Sequence, residues 1–391
     1  IFDMYNFCSN SMPHSLSSND KKEITSWYKK NNENLPNNKY KGMFKGNNLL
    51  IIQHESLENF VINRKINNQE ITPNLNKLLG NSLYFNHYHE QVNEGVTSDA
   101  EFMTNTSIYP LRNGSVFFTY PKNTYYNSLP NLMKGLGYST TAIHPDNGSY
   151  WNWMAAQKSI GFEKCIDASY FKQDETIGLG LSDASFLRQA EPIIKNERRP
   201  FYNFMITLTS HSPFNLPKKY RELNLPNYLD SSYLGGYFQS VHYTDKAIGN
   251  FLNQLDKDGV LDNTLVVIYG DHTGIHKYFQ NEVNNLKPSE SWWLDDHMEV
   301  PLIIWHKNMK PQEISINGGQ VDLLPTLAYL MGIEPSKIAD TAMGRNLLNT
   351  KKDFSVLTDR SYIGQDYSNE KSEVDGLDIA DKIIRSNYFK K

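Results

Sequence analysis

The sequence predicts an α/β protein in which helices sandwich a mostly parallel sheet, with a small α+β subdomain at the C-terminus. Short apolar runs rich in β-branched residues, such as 265–269 and 49–52, are typical of strands that are covered on both faces. Longer segments with helical spacing, such as 233–255, lie between the runs, and this alternation indicates parallel pairing. After residue 350 the pattern changes to short strand-like pieces and one terminal helix, which predicts the subdomain.

The length and the charge of the chain limit its organisation and its partners. The 391 residues are enough for one large α/β domain with an appendage, or for two domains. We expect a polar leader over 1–45 with a helix over 21–30, a main domain over 46–349 and the subdomain over 350–391. The net charge of −4 gives no electrostatic footprint for nucleic acid.

The start of the chain and its cysteines bear on its location. No run of about 18 apolar residues occurs, so no membrane span is predicted within the sequence. The chain begins at Ile1 without a signal peptide, and we expect a processed form or fragment whose missing N-terminal part holds a membrane anchor. Cys8 and Cys165 match no metal or redox spacing, and a disulfide between them stays open.

The first strand of the predicted sheet runs over 48–54 and is followed by an acid. It delivers Glu55 to the carboxyl edge of the sheet, where open α/β sheets bind their ligands. Alternatively, Glu55 lies at the N-terminus of a helix over 57–66, where the helix dipole favours an acid. His54 points the opposite way along the strand and is predicted to be structural.

A helix over 71–79 and a strand over 82–89 follow in the chain. His87 and His89 alternate onto one face of this strand, a spacing that a pair of metal ligands could share. Because no third ligand lies nearby, we expect a strand with exposed imidazoles instead.

The next helix begins near Thr97. Thr97 or Ser98 can cap it, and Glu101 has the spacing of a capping-box partner for Ser98. A hydroxyl at a helix N-terminus also sits where backbone N–H groups stabilise negative charge. Beside a metal ion, such a hydroxyl can lose its proton and attack phosphorus. Capping and nucleophilic attack both stay open at this point.

A further strand, over 140–144, ends in side chains that suit the wall of a binding site. It leads into His144 and Asp146, and then into Trp151 and Trp153. Aromatic walls with polar tips are typical of ligand pockets. The alternative is that both tryptophans belong to the core.

Two more strands complete the set of polar strand ends. The strand over 201–208 leads to His211, and the strand over 265–269 leads to Asp271 and His272. An Asp-His pair can cap a helix and hydrogen-bond a loop, but a carboxylate beside an imidazole also suits a divalent metal. Two carboxylates, an imidazole and a hydroxyl oxygen from these strand ends and the helix start would give a four-ligand site for manganese, magnesium or zinc. The candidates are Glu55, Thr97, His144, His211, Asp271 and His272.

Several of these segments occur in the order of a known family. They are Ile52-Gln53-His54-Glu55-Ser56, Val96-Thr97-Ser98-Asp99-Ala100-Glu101-Phe102, Ile143-His144-Pro145-Asp146 with Trp151-Asn152, Thr207-Leu208-Thr209-Ser210-His211-Ser212-Pro213-Phe214, Tyr269-Gly270-Asp271-His272 and Gln320-Val321-Asp322-Leu323-Leu324-Pro325-Thr326. The series spans most of the chain. It resembles the extracellular domain of lipoteichoic acid synthases, in the alkaline phosphatase/sulfatase superfamily.

The resemblance implies roles for the matching residues. One divalent ion, with manganese expected ahead of magnesium or zinc, would be held by Glu55, Thr97, Asp271 and His272. Thr97 would be the nucleophile, and His211 would stabilise the phosphate or protonate a leaving oxygen. The residues that match the glycerol-phosphate pocket are His144, Asp146, Trp151 and His211.

The chain departs from the family at one position. Where these synthases usually carry an Arg two residues after the Trp, this sequence has Trp153. Arg grips phosphate through a planar fork of donors that Trp cannot supply. We expect Trp153 to fill part of that volume, and Arg112 is a candidate for the missing cation.

The resemblance implies a metal-dependent phosphotransferase on the extracellular face of a Gram-positive cell membrane. Its donor would be a phosphatidylglycerol-like lipid, its acceptor a glycerol-phosphate polymer, and its intermediate a glycerophospho-threonine at Thr97. A phosphoethanolamine transferase or another phosphodiesterase of the superfamily is an alternative. A sulfatase of the usual type is disfavoured because neither Cys8 nor Cys165 lies in a C/S-x-P-x-R motif. The alternative from another class is a non-catalytic, metal-binding surface protein.

Overall fold

The centre of the fold is an eight-stranded sheet, seen in a computed structural model that describes residues 14–365 and 367–390. Its strands are mostly short runs of buried apolar residues, which pack well on a sheet covered from both sides. In chain order they are β1 (Asn48–His54), β2 (Ser82–Phe85), β3 (Ser139–Ile143), β4 (Lys164–Ile166), β5 (Phe201–Ile206), β6 (Thr264–Gly270), β7 (Leu302–Trp305) and β8 (Gln312–Ile314).

The strand order is β8-β2-β7-β6-β1-β5-β3-β4. The neighbouring strands from β6 to β4 are all parallel, and β7 runs antiparallel between β6 and β2. The carboxyl ends of β1, β3, β5 and β6 therefore meet at one edge of the sheet. This confirms the predicted α/β class and its mostly parallel sheet.

Helices cover both faces of the sheet. They are α1 (Ser18–Asn31), α2 (Pro73–Leu78), α3 (Thr97–Thr106), α4 (Val116–Thr119), α5 (Leu129–Gly135), α6 (Trp153–Ile160), α7 (Asp183–Lys195), α8 (Asn227–Asp230), α9 (Tyr233–Lys257), α10 (Ile275–Asn285), α11 (Leu323–Leu330) and α12 (Glu370–Ser386). None of the helices in the described part of the chain is long and apolar enough to cross a membrane.

Strand β1 shows how the two cores are built. Leu49 and Ile51 join the core that also contains the apolar side chains of α3, α11 and α12. Leu50 and Ile52 join the opposite core, with α7 and α9. All four side chains are completely buried because successive residues of a strand point to opposite faces.

The helix expected over 57–66 is wrong. The segment forms one 3-10 turn, Asn59–Val61, and a two-residue ribbon that pairs Lys65–Ile66 with Gln69–Glu70. Glu58 is committed to tertiary contacts there. Its N–H donates to Tyr237 Oη at 2.9 Å, and its carboxylate accepts the N–H of Gly274 at 2.8 Å. Glu55 consequently ends a strand and does not begin a helix.

The strand expected over 82–89 is split in two. β2 ends at Phe85, and Tyr88–His89 pairs separately with Gly318–Gly319. The His87 side chain is about half exposed, and its Nδ1 lies 2.6 Å from Glu299 Oε1. The expectation of exposed imidazoles is therefore wrong for His89, which is buried.

The terminal segments pack against each other. Trp27 of α1 donates from Nε1 to the carbonyl of Ser372 in α12 at 2.7 Å. Between residue 350 and α12, β9 (Phe354–Val356) and β10 (Tyr362–Gly364) form an antiparallel ribbon. Side chains of α1, β9 and α12 enter the same core as α3. The domain boundaries at residues 45 and 349 stay predictions.

The structure describes one of the two cysteines. Cys165 lies on β4 without a disulfide partner among the described residues, and burial raises its pKa to about 12. Cys8 lies outside the described residues, so the disulfide stays an open question.

Candidate active site

Strands β1 and β6 carry three polar residues to the same point of the sheet edge. Their register pairs His54 with Gly270, so Glu55 and Asp271 follow side by side. His272 Nε2 lies 3.3 Å from Glu55 Oε1 and 3.6 Å from Asp271 Oδ2. The three side chains are buried, and their ligand atoms all lie within 4.8 Å of one another.

Thr97 is the first residue of α3, and its hydroxyl reaches the same cluster. Its Oγ1 lies 3.1 Å from Glu55 Oε2 and 3.4 Å from His272 Nε2. The preceding residue, Val96, has φ 44° and ψ −114°, a conformation that is strained for a β-branched residue. The strained turn sets the direction in which α3 and the Thr97 hydroxyl leave the loop.

The predicted capping box of α3 is wrong. Ser98 Oγ donates to the carbonyl of Gly95 at 2.7 Å. Glu101 faces α6 and does not turn back to the cap. It accepts hydrogen bonds from Trp153 Nε1 at 2.7 Å and Gln157 Nε2 at 2.5 Å. The Glu101 carboxylate, which the local spacing assigned to the cap, is therefore bonded to the neighbouring helix α6.

One carboxylate oxygen of the cluster has no hydrogen-bond donor. His272 Nδ1 donates to the carbonyl of Thr273 at 2.8 Å, which turns Nε2 toward the carboxylates. Asp271 Oδ1 accepts the N–H groups of Ser56 at 2.7 Å and His272 at 2.8 Å. Asp271 Oδ2 is buried and has no hydrogen-bond partner among the described residues.

Burial and mutual charge shift the pKa values of the cluster. Burial raises the pKa of Asp271 to about 8, and the charge of Glu55 adds to this. Burial also acts to raise the pKa of Glu55, but the neighbouring His272 outweighs it and lowers that pKa to about 2. Burial acts to lower the pKa of His272, but the charges of Asp271 and Glu55 outweigh burial and raise that pKa to about 10. The metal-free cluster therefore retains protons at neutral pH.

This donor set fits a divalent cation. Two carboxylates, one imidazole nitrogen and one hydroxyl oxygen match the hard or borderline character of manganese, magnesium or zinc. Buried carboxylates are costly unless paired, and a cation at the centre of the cluster would satisfy Asp271 Oδ2, which has no hydrogen-bond donor among the described residues.

Two further histidines lie around the cluster. His144 follows β3, and burial lowers its pKa to about 4 while the charges of Asp146 and Glu55 oppose that shift. His211 follows β5, and its Nδ1 lies 2.6 Å from the carbonyl of Ser212, so Nε2 is left for a substrate. Both histidines are partly buried.

The other two predicted pocket residues lie nearer the surface. Asp146 Oδ1 accepts the N–H of Asn147 at 2.7 Å. Trp151 is 37% exposed, and its ring packs edge-on at 6.2 Å from the ring of Phe118. Trp151 is therefore not a core residue. The assignment of Asp146 and Trp151 to a substrate cleft stays a prediction.

Neither the expected place of Trp153 in the pocket nor Arg112 as the phosphate-gripping cation is supported. Trp153 is buried in the core, with its ring 5.5 Å from that of His144. Arg112 pairs with Asp378 of α12, and its backbone N–H donates to Asp381 at 3.0 Å. Arg112 is thus engaged with the C-terminal helix.

Sequence reasoning missed a buried amide that positions Thr97. Gln53 Nε2 donates to the carbonyl of Thr97 at 3.2 Å, and Gln53 Oε1 accepts the hydroxyl of Tyr269. Tyr269 Oη in turn accepts a hydrogen bond from the Thr104 hydroxyl at 2.8 Å. Thr104 lies about two turns after Thr97 in α3. A polar residue inside an apolar strand is the signal that could have found it.

The profile of the Sulfatase family matches residues 47–333. Two curated relatives are similar to most of the chain. Lipoteichoic acid synthase 2 of Bacillus subtilis is 34% identical over 342 residues, which cover 85% of this chain and 52% of the relative. The lipoteichoic acid synthase of Staphylococcus aureus (strain USA300) is 32% identical over 393 residues, which cover 96% of this chain and 60% of the relative. The chain thus spans little more than half the length of these relatives.

The solved structure of the lipoteichoic acid synthase LtaP from Listeria monocytogenes has the same fold. It superposes with a TM-score of 0.81 at 28% sequence identity, over 93% of this chain and 98% of that one.

Proposed function

The chain belongs to the sulfatase family, and from that premise we propose that it is a metal-dependent phosphotransferase. In this proposal it moves glycerol phosphate from a phosphatidylglycerol-like lipid to a glycerol-phosphate polymer. The observation that carries the proposal is the Thr97 hydroxyl, at 3.1 Å from Glu55 and 3.4 Å from His272 beside a cluster suited to a cation. The lipoteichoic acid synthases among its relatives support the substrate class.

The proposed first step forms a covalent intermediate. Glu55, Asp271, His272 and Thr97 would hold the ion, manganese in this proposal, which lowers the pKa of the hydroxyl and stabilises charge on phosphate. Thr97 Oγ1, whose hydroxyl lies 3.1 Å from Glu55, releases its proton to solvent and attacks the phosphorus. The bond to the diacylglycerol oxygen breaks, and His211 supplies that oxygen with a proton through Nε2.

The proposed second step returns Thr97 to its starting state. A terminal hydroxyl of the acceptor attacks the glycerophospho-threonine, and His211 now accepts its proton. The bond between phosphorus and Thr97 Oγ1 breaks, Oγ1 regains its proton from solvent, and the polymer gains one unit. His144, Asp146 and Trp151 are proposed to contact the glycerol phosphate. The outer face of a Gram-positive cell membrane is the proposed location.

The covalent intermediate gives the direct test. Incubation with a phosphatidylglycerol donor and manganese should add one glycerol phosphate to the peptide that contains Thr97, measured by intact-mass and peptide mass spectrometry. Thr97→Ala should abolish the adduct and the turnover of a fluorescent donor lipid. Ser98→Ala is the matched control, because its hydroxyl is bonded to Gly95, and it should retain both.

The opposite result separates the transferase from a phosphodiesterase. If Thr97→Ala hydrolyses the lipid at a rate near that of the wild type, water is the attacking group and the transferase proposal is wrong. The lost hydroxyl should not unfold the protein, since Thr97 makes no side-chain cap and loss of a cap costs only about 1 kcal/mol.

A further inference from the structure

The candidate site has an excess of buried negative charge. Glu90 is only 2% exposed, and its Oε2 accepts the N–H of Thr273, the residue that follows His272. Together with Glu55 and Asp271 it outweighs the charge of one divalent ion. An anionic phosphodiester would be repelled from such a site unless a cation compensates.

Lys277 lies where that compensation is needed. It belongs to the first turn of α10, directly after the loop that carries His272. Its ammonium is 3.3 Å from Glu90 Oε1, while Glu90 Oε2 accepts the N–H of Thr273. The Lys277 side chain keeps 27% of its surface exposed. An ammonium has three N–H donors, so the contact with Glu90 leaves donors for a ligand.

Lys277 also lies close to the loop that precedes Thr97. The positive charge of Lys277 acts on Asp99, which lies in the first turn of α3. Asp99 Oδ2 accepts the N–H of Gly95 at 2.9 Å and so supports the turn before Thr97. Lys277 is therefore near both loops of the candidate site, the one that ends in His272 and the one that leads to Thr97.

We infer that Lys277 contacts the phosphate of the substrate and replaces the Arg that this chain lacks at Trp153. Glu90 orients the Lys277 ammonium from the buried side. The inference rests on the proposed function, since it concerns the same site. An ammonium is a point charge without a planar fork, so it fixes the phosphate but selects its orientation less strictly than an Arg.

The test measures binding of glycerol phosphate and of inorganic phosphate by calorimetry, with the manganese-loaded protein. Lys277→Met should weaken the dissociation constant of both anions about 10- to 100-fold, the effect of losing one charge-assisted hydrogen bond. Lys277→Arg should stay within about threefold of the wild type, because it keeps the charge. Manganese affinity, measured separately, should change far less than anion affinity.

Two controls separate a phosphate contact from a simple partner of Glu90. Lys195→Met removes a lysine from a comparable ion pair with Asp258 at the far end of α7, and should leave anion binding unchanged. Glu90→Gln frees the Lys277 ammonium and should tighten anion binding. Thermal unfolding of each variant checks that the fold is kept.

Three outcomes decide the matter. Wild-type affinity for both anions in a folded Lys277→Met variant overturns the inference and leaves the proposed function standing. Lys277-dependent binding of inorganic phosphate without binding of glycerol phosphate supports Lys277 and counts against the proposed head group. If the wild-type protein binds neither anion, both proposals are wrong.

Discussion

Gln53 is a buried amide whose two ends fix different parts of the site. Replacing it by Leu removes the donor to the carbonyl of Thr97 and the acceptor for Tyr269. We expect a loss of about 1–3 kcal/mol in the free energy of unfolding, because both partners are left buried. The turnover number should fall about 10- to 100-fold, since the Thr97 hydroxyl loses its support. Denaturant unfolding and steady-state kinetics measure the two effects.

Asn203 on the neighbouring strand β5 is the matched control. It is equally buried, and neither of its amide atoms has a hydrogen-bond partner among the described residues. Asn203→Leu should leave the turnover number unchanged and stabilise the fold by about 1–3 kcal/mol. If Gln53→Leu and Asn203→Leu change turnover equally, the role of Gln53 is general packing and not the support of Thr97.

His276 makes a pH-dependent contribution to stability. Its Nδ1 bonds Glu58, and its Nε2 lies 2.7 Å from the carbonyl of Trp293, so both nitrogens carry protons. Burial lowers the pKa of His276, but the bond to Glu58 outweighs it and raises the pKa to about 9. The stabilisation is therefore complete below the unfolded value of about 6.5 and lost as pH rises through about 9.

The expected effect is on the order of 3 kcal/mol across that interval. The free energy of unfolding of the wild type should fall relative to His276→Gln between pH 7 and pH 9, measured with saturating manganese so that the cluster stays deprotonated. A constant difference between the two proteins over this range would mean that His276 is neutral at pH 7.

At the scale of elements, the turn before α3 lowers the stability of the fold but sets the direction of the helix that begins at Thr97. Val96 has φ 44°, a strain of about 1–3 kcal/mol for a residue that is not Gly. Val96→Gly should raise or leave unchanged the free energy of unfolding, because the relief exceeds the entropy cost of Gly, about 0.5–1 kcal/mol. Turnover should nevertheless fall, since Thr97 then leaves a more flexible loop. A destabilisation above about 1 kcal/mol would show that the packing of the Val96 side chain outweighs the strain.

The elements that the sequence predicted are those whose local pattern decides their structure. The short apolar runs of β1 and β6 favoured buried strands, and parallel pairing of these strands brings the acids that follow them to one edge. The segment after Glu55 could not be predicted, because Tyr237 and Gly274 hold Glu58 from distant parts of the chain. The capping box failed for the same reason, since Glu101 bonds α6 across the core.

At the scale of the whole molecule, the sheet determines which residues can meet. Glu55 and Asp271 are separated by more than half of the chain, and only the parallel pairing of β1 with β6 brings them together. The sequence predicted that Glu55 and Asp271 meet, because each follows a strand and the carboxyl ends of parallel strands share one edge of the sheet. It could not predict the role proposed for Lys277, because the Glu90 contact depends on how the buried segment after His89 folds over that edge.

The last prediction concerns the stability of the whole protein with and without its ion. An ion that binds only the folded state adds about 2.7 kcal/mol to the free energy of unfolding at 100 times its dissociation constant. The metal-free cluster holds protons at neutral pH, since burial raises the pKa of Asp271 to about 8, and neighbouring charges raise that of His272 to about 10 against the effect of burial. Binding must displace these protons, so affinity rises with pH.

A fixed concentration of manganese should therefore raise the unfolding temperature more at pH 8 than at pH 6. Calorimetry in two buffers of different ionisation enthalpy should show proton release at pH 7. Asp271→Asn should lose most of the thermal shift, whereas Ser98→Ala, whose hydroxyl is bonded to Gly95, should keep it. Equal thermal shifts at both pH values, with no proton release, would show that Asp271 and His272 are already deprotonated in the metal-free fold.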